Sequence, residues 1–138
     1  MDYYQNMIQA TNEKNSFMLH NGIRLTKMER DHAVVEADLT RVNRNLYGAV
    51  HGGMFLTMAD CASGGAARSN GMRYVTVSNS FEFFRNTKDD HLIAEGWGEE
   101  PWHHHLHRGG RDPRHQRKSP LRRHLHHVLC RQARPAGR

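Results

Sequence analysis

NLYGAVHGGMFLTMADCASGGAARSN, residues 45–70, decides how the chain is read. A histidine and a glycine pair (His51, Gly52, Gly53) open a run of small and apolar residues, and one carboxylate, Asp60, sits inside it. Methionine, phenylalanine, leucine and alanine recur on every side of the run, so the pattern predicts a helix from about Gly53 to Ser69, buried all round. A lone carboxylate in such a setting is costly unless it is paired or has chemical work to do. The glycine-led start leaves backbone N–H groups free to meet an anionic or polarised oxygen. Together these features describe a catalytic helix.

Outward from this helix the chain alternates. Residues 2–19 predict a helix, with Tyr4, Met7, Ile8, Phe17 and Met18 among polar positions. GIRLTKM from Gly22 and AVVEADL from Ala33 read as a hairpin of half-buried antiparallel strands around the polar Glu29–His32 turn. Residues 41–48 form a loop, and Asn70-Gly71 stops the central helix. YVTVSNSFEFF predicts a strand over Tyr74–Phe84, with Val75, Val77, Phe81 and Phe83 on one face; a turn at 86–90 and a strand from HLIAEGW follow. The order implies an α+β fold, an antiparallel sheet wrapped around one buried helix.

The chain's 138 residues suit one domain, but its formal charge of +6 is unevenly spread. Residues 1–100 carry 10 Lys and Arg against 13 Asp and Glu, a net of −3; residues 101–138 carry 10 against 1, a net of +9. All four prolines and eight of the twelve histidines fall in the second stretch. The division therefore falls near Trp97, with a globular domain over 1–97 and a basic His/Arg/Pro-rich tail over 98–138. Met1-Asp2-Tyr3-Tyr4 does not open a basic-then-apolar leader, and no apolar run is long enough to span a bilayer, so a cytoplasmic protein with no membrane partner is expected. Cys61 and Cys130 make no disulfide framework, and Cys61 reads as a small buried thiol.

Residues from about 20 to 97 resemble the hotdog-fold acyl-CoA thioesterases of the phenylacetate-pathway type. The resemblance rests on Asn45, the HGG of His51-Gly52-Gly53, Asp60 seven residues later, the V-T-V of Val75–Val77 and the F-F-R of Phe83–Arg85. One departure is Asn86, where the family often has proline. The resemblance implies an acyl-CoA substrate and hydrolysis to free acid and CoA, with neither metal nor other cofactor. It implies that the N–H of Gly52 polarises the thioester carbonyl, with His51 and Gly53 beside the substrate. Asp60 would activate water or attack directly, Asn45 would hold the carboxylate or the water, and the Thr76 hydroxyl would help place that water. Gly52 and Asp60 stand eight residues apart, roughly 12 Å along a helix axis. One carbonyl cannot touch both on one helix, so a homodimer or homotetramer with shared sites is implied.

Each residue has a plainer reading. Asp60 can be an acid satisfied by a neighbour, His51 a turn residue, Thr76 a β-former and Asn45 a loop residue. Phe81, Phe83, Met54 and Met58 read as core before they read as an acyl pocket. The alternatives to an enzyme are a hotdog protein that binds acyl-CoA or aromatic ligands without hydrolysis, and a nucleic-acid binder acting through the tail. Adjacent histidines at 103–105 and 107 point different ways in any regular structure, which argues against a built metal site. The tail's basic residues would bind phosphates without specificity, and no aromatic interleaving supports a specific nucleic-acid partner.

The preferred reading of the tail is a shifted reading frame after Trp97. Histidine codons read one nucleotide later become threonine, isoleucine or methionine codons, and Trp102 before His103 becomes glycine. Residues 102–128 then admit two alternating strands around an Asn-Gly turn, the hairpin with which the family closes its sheet. As written, 98–138 holds no legible strand and is expected to be disordered. The resemblance places the family's last two strands between the strand after the helix and the rest of the sheet. Without them the edges of Leu92–Gly96 and Tyr74–Phe84 would be left unpaired.

Overall fold

The computed structural model describes residues 2–76, 78–98 and 127–132, the last as backbone alone. Helix α1 (Tyr3–Lys14) and the short α2 (Ser16–His20) precede strands β1 (Ile23–Glu29) and β2 (His32–Asp38). A 3-10 turn at Arg41–Asn43 leads to the central helix α3 (Gly52–Arg68), then to β3 (His91–Trp97) and β4 (His127–Gln132). The sheet runs β1-β2-β3-β4 with every neighbouring pair antiparallel. Helix α3 lies across one face of it, and α1 packs against β1. Among the described residues no helix is long and apolar enough to cross a membrane.

The single helix expected over 2–19 is two helices. Asn15 breaks it by leaving the helical region (φ −85°, ψ 83°), and its side-chain oxygen accepts the Met18 N–H to start α2. Asparagine favours such local side-chain bonds over helix interior. The hairpin forms as expected, with Asp31 at φ 56° in its turn. Ile23 and Leu25 face α3, and a register shift between Leu25 and Lys27 then lets Met28 face the same way. Such a bulge restores an inward face that strict alternation would lose. Asn12 of α1 serves β1 as a surrogate strand, its amide donating to Leu25 O and its oxygen accepting the Leu25 N–H, both at 2.8 Å.

Small residues bring the helix close to the sheet. A Cβ on Gly96 of β3 would lie 2.6–2.8 Å from the backbone of Ala62 and Ser63, and one on Gly65 of α3 would lie 2.8 Å from the Ala33 methyl. Around that approach Ile23, Leu25, Val35, Val50, Met58 and Leu92 are fully buried.

Two expectations need correction. YVTVSNSFEFF is not described as a strand, because residues 72–76 and 78–89 form no ladder with any described residue and Val75, Phe83 and Phe84 are exposed. Its alternation is genuine, but a strand exists only where its N–H and C=O groups find a partner backbone. The tail also holds a strand where none is legible in the sequence. His127–Gln132 pairs with Leu92–Trp97 and satisfies the open edge of β3. Apart from Gly98, the rest of the expected tail, with its histidine run and the span 102–126 of the proposed shifted reading, lies outside the described residues.

Candidate active site

The N-terminus of α3 is built by His51. Its backbone is extended (φ −65°, ψ 136°), its carbonyl accepts the Met54 N–H, and its Nδ1 accepts the Gly53 N–H at 2.9 Å. His51 is thus a helix cap, a role that requires an Nδ1 carrying no proton. The cap uses the N–H of Gly53, a residue expected beside the substrate. Gly52 differs from both neighbours: among the described residues its N–H has no acceptor. An orphan donor at the first turn of a 17-residue helix meets a negative oxygen favourably. The ring of Phe83 stands over this glycine, 3.4 Å from where a Cβ would be. Phe81 and Phe55 flank that ring, with centroids 4.7 and 6.4 Å away.

The expectation that α3 is buried all round is corrected. Met54, Met58, Ala62 and Ala66 face the sheet, whereas Gly53, Thr57, Asp60 and Gly64 form an opposite stripe that is not buried. Spacings of three and four residues put these four on one face. Met54 and Met58 are core as expected, Phe81 is partly so, and Phe83 is 60% exposed.

On the open stripe Asp60 accepts a hydrogen bond from the Thr76 hydroxyl, Oγ1 to Oδ1 at 2.7 Å. The structure therefore brings together two of the residues singled out from sequence, although Thr76 lies outside any strand. The bond fixes one carboxylate oxygen and leaves Oδ2 for another partner. Beside Asp60, burial and then the aspartate's charge push the Cys61 thiol up to about 11, so this sulfur stays protonated and is a poor nucleophile.

Asn45 is not brought to Asp60 within the chain. Its Oδ1 accepts the N–H groups of Tyr47 (2.9 Å) and Ala49 (3.1 Å), and its own N–H donates to Ala49 O at 2.8 Å. These bonds close the loop before α3. Asn86 also shapes this end of the helix: its Nδ2 donates to Val50 O at 3.1 Å, which a proline there could not do. The departure from the family pattern was the sequence signal for it. No group of three or more potential metal-ligating side chains occurs among the described residues.

The signature of the thioesterase superfamily matches residues 47–100, from the loop before α3 to the end of β3. That span holds the glycine-led helix start, Asp60 and Thr76. Over residues 47–100 the chain is similar to the thioesterase superfamily. The fold around them is the superfamily's hotdog, as solved structures show. The chain is similar to the E. coli PaaI protein from the phenylacetic acid degradation operon, at 27% identity over 68% of each chain with a TM-score of 0.62. It is also similar to smu.793 from Streptococcus mutans, solved bound to acetyl CoA, at 26% identity over 56% of this chain and 64% of that one, TM-score 0.52. A thioesterase family protein from Silicibacter pomeroyi shares the fold at 18% identity, covering 71% of this chain and 74% of that one, TM-score 0.63. No curated protein sequence matches the chain.

Proposed function

We propose that the domain hydrolyses acyl-CoA thioesters, with Asp60 as base or nucleophile and the Gly52 N–H as oxyanion donor. The observation that carries this reading is the pair of complementary groups on one helix, an N–H at Gly52 with no acceptor among the described residues and an exposed-stripe carboxylate held by Thr76. Thioester hydrolysis needs a donor for the developing oxyanion and a base on the other side of the carbonyl. With roughly 12 Å of helix between them, the two groups serve one carbonyl only if they come from different protomers. The dimer, or a tetramer of such dimers, therefore has shared sites. Thr76 then acts by orienting the carboxylate, and the Nδ2 of Asn45, which has no acceptor among the described residues, is the part of that side chain left for water or a carboxylate across the interface. His51 acts on substrate through the cap that exposes Gly52, and Gly53 lines the same turn. The acetyl CoA held by smu.793 of S. mutans supports a CoA thioester as ligand.

The test is Asp60→Asn, assayed with acetyl-CoA and with longer and aromatic acyl-CoAs. Turnover is expected to fall by about 10²–10⁴-fold, the usual worth of a positioned base, with acyl-CoA binding retained. Unchanged turnover removes Asp60 from the chemistry. Binding without hydrolysis in the unaltered protein would instead make it a non-catalytic acyl-CoA binder.

A further inference from the structure

We infer that Arg44 is a positioning residue for the oxyanion donor, acting through the loop that delivers Gly52; the inference rests on the thioesterase reading. The guanidinium makes four hydrogen bonds. Nη1 donates to Gly48 O (3.2 Å) and Lys88 O (3.0 Å), and Nη2 donates to Asp89 O (3.1 Å) and the Asp90 carboxylate. Three of the four acceptors are main-chain carbonyls, one in the 44–50 loop and two in the turn before β3. The Arg44 side chain is 16% exposed and that of Asp90 is 91% exposed, so the carbonyls rather than the ion pair carry the clamp.

This clamp reaches the donor by a short path. The 44–50 loop is closed by a bridge between Arg44 and Val50 and turns at Gly48, whose φ of 76° suits glycine. The Val50 N–H donates to Thr87 O at 2.9 Å and the His51 N–H to Asn43 O at 2.9 Å, so the same seam holds the two residues before Gly52. Among the described residues Gly52 has no acceptor of its own to set its N–H direction. That direction is inherited from His51 and Val50, and hence from the loop and turn that Arg44 joins. Four donors in one plane are needed to hold carbonyls from two segments at once. Lysine, whose three N–H donors radiate from one nitrogen on a flexible stem, cannot reproduce this planar fork.

The test compares Arg44→Gln, Arg44→Lys and Asp90→Asn in the full chain by amide hydrogen exchange and by acyl-CoA hydrolysis. In Arg44→Gln the Val50 and His51 amides are expected to exchange at least about tenfold faster while the Ala62 amide of α3 is unchanged. With rates corrected for the folded fraction, kcat is expected to fall about tenfold or more with KM within about twofold, as for a misdirected transition-state donor. Arg44→Lys should keep the fold and still lose kcat, and it decides the matter if Arg44→Gln unfolds. Asp90→Asn should leave both readouts near those of the unaltered protein. Unchanged Val50 and His51 exchange in both Arg44 variants, or an unchanged corrected kcat, overturns the inference. If the unaltered protein hydrolyses no acyl-CoA, the thioesterase reading fails, and the exchange measurement alone then decides whether Arg44 sets the loop.

Discussion

The N–H of Gly52 is the smallest unit on which the function depends, and it can be removed almost alone. Gly52 is the first residue of α3, where proline is tolerated because the first-turn N–H has no helical partner. His51 already has the extended conformation that a following proline requires, and the nearest side-chain atom to a Cβ at Gly52 is at ordinary contact distance. Gly52→Pro is therefore expected to keep the fold and lower kcat by about 10²–10³-fold, the scale of a lost oxyanion donor. Circular dichroism and steady-state kinetics check both halves. A second residue-level device lies on the outer face of the sheet. His91 of β3 meets Asp38 Oδ1 at 2.7 Å and Glu36 Oε2 at 3.1 Å across β2. The Asp38 hydrogen bond, opposed by desolvation and assisted by Glu36, holds the His91 pKa above its ordinary 6.5. A raised folded-state pKa contributes stability in full below the ordinary value and loses it as pH rises through the folded value. Denaturant melts should show stability declining with pH above about 6.5, and His91→Gln should flatten that slope. An unchanged slope in the variant would assign it to other groups.

At the scale of elements, the core was legible wherever the sequence pattern and its partner both lie in the chain. The β1–β2 hairpin and β3 could be read because their alternating residues meet one another and the small-residue face of α3. The bulge after Leu25 could not, because it is set by the need to turn Met28 inward rather than by any residue type. Tyr74–Phe84 has the stronger strand text, and it fails as a strand because no described backbone pairs with it. Period-2 patterning reports which face would be buried, and a ladder also needs a neighbour. Of the residues proposed for the site, Asp60 and the glycine-led helix start were singled out by residue type and spacing, and Thr76 only by the resemblance. The loop role of Asn45 was the plainer of its two sequence readings, whereas the work of Arg44 was not legible, since it depends on carbonyl directions that sequence does not encode. The approach of α3 to β3 gives an element-scale prediction. Gly96→Ala drives a methyl into the Ala62–Ser63 backbone, which cannot yield as a side-chain tip can. The cost should be about 1–3 kcal/mol, read from the denaturation midpoint, and a neutral substitution would show that the helix can lift off the sheet.

At the scale of the whole molecule, the account requires more than one chain. Asp60 and Gly52 lie on the same helix, and in the proposed reading an active centre forms only when α3 of one protomer presents its start to the middle of α3 in another. Leu46 and Tyr47 before α3, and Val75, Phe83 and Phe84 after it, are exposed apolar side chains. The most direct measurement is complementation between Asp60→Asn and Gly52→Pro chains, co-expressed or refolded together. Each alone should be nearly inactive. In a mixed dimer one site joins the intact Gly52 of the first chain to the intact Asp60 of the second. Random mixing of equal amounts should therefore recover about a quarter of the unaltered activity, since half the dimers are mixed and half their sites are whole, against the several-kcal/mol loss in each parent. A mixture no more active than its parents would contradict a site shared between protomers.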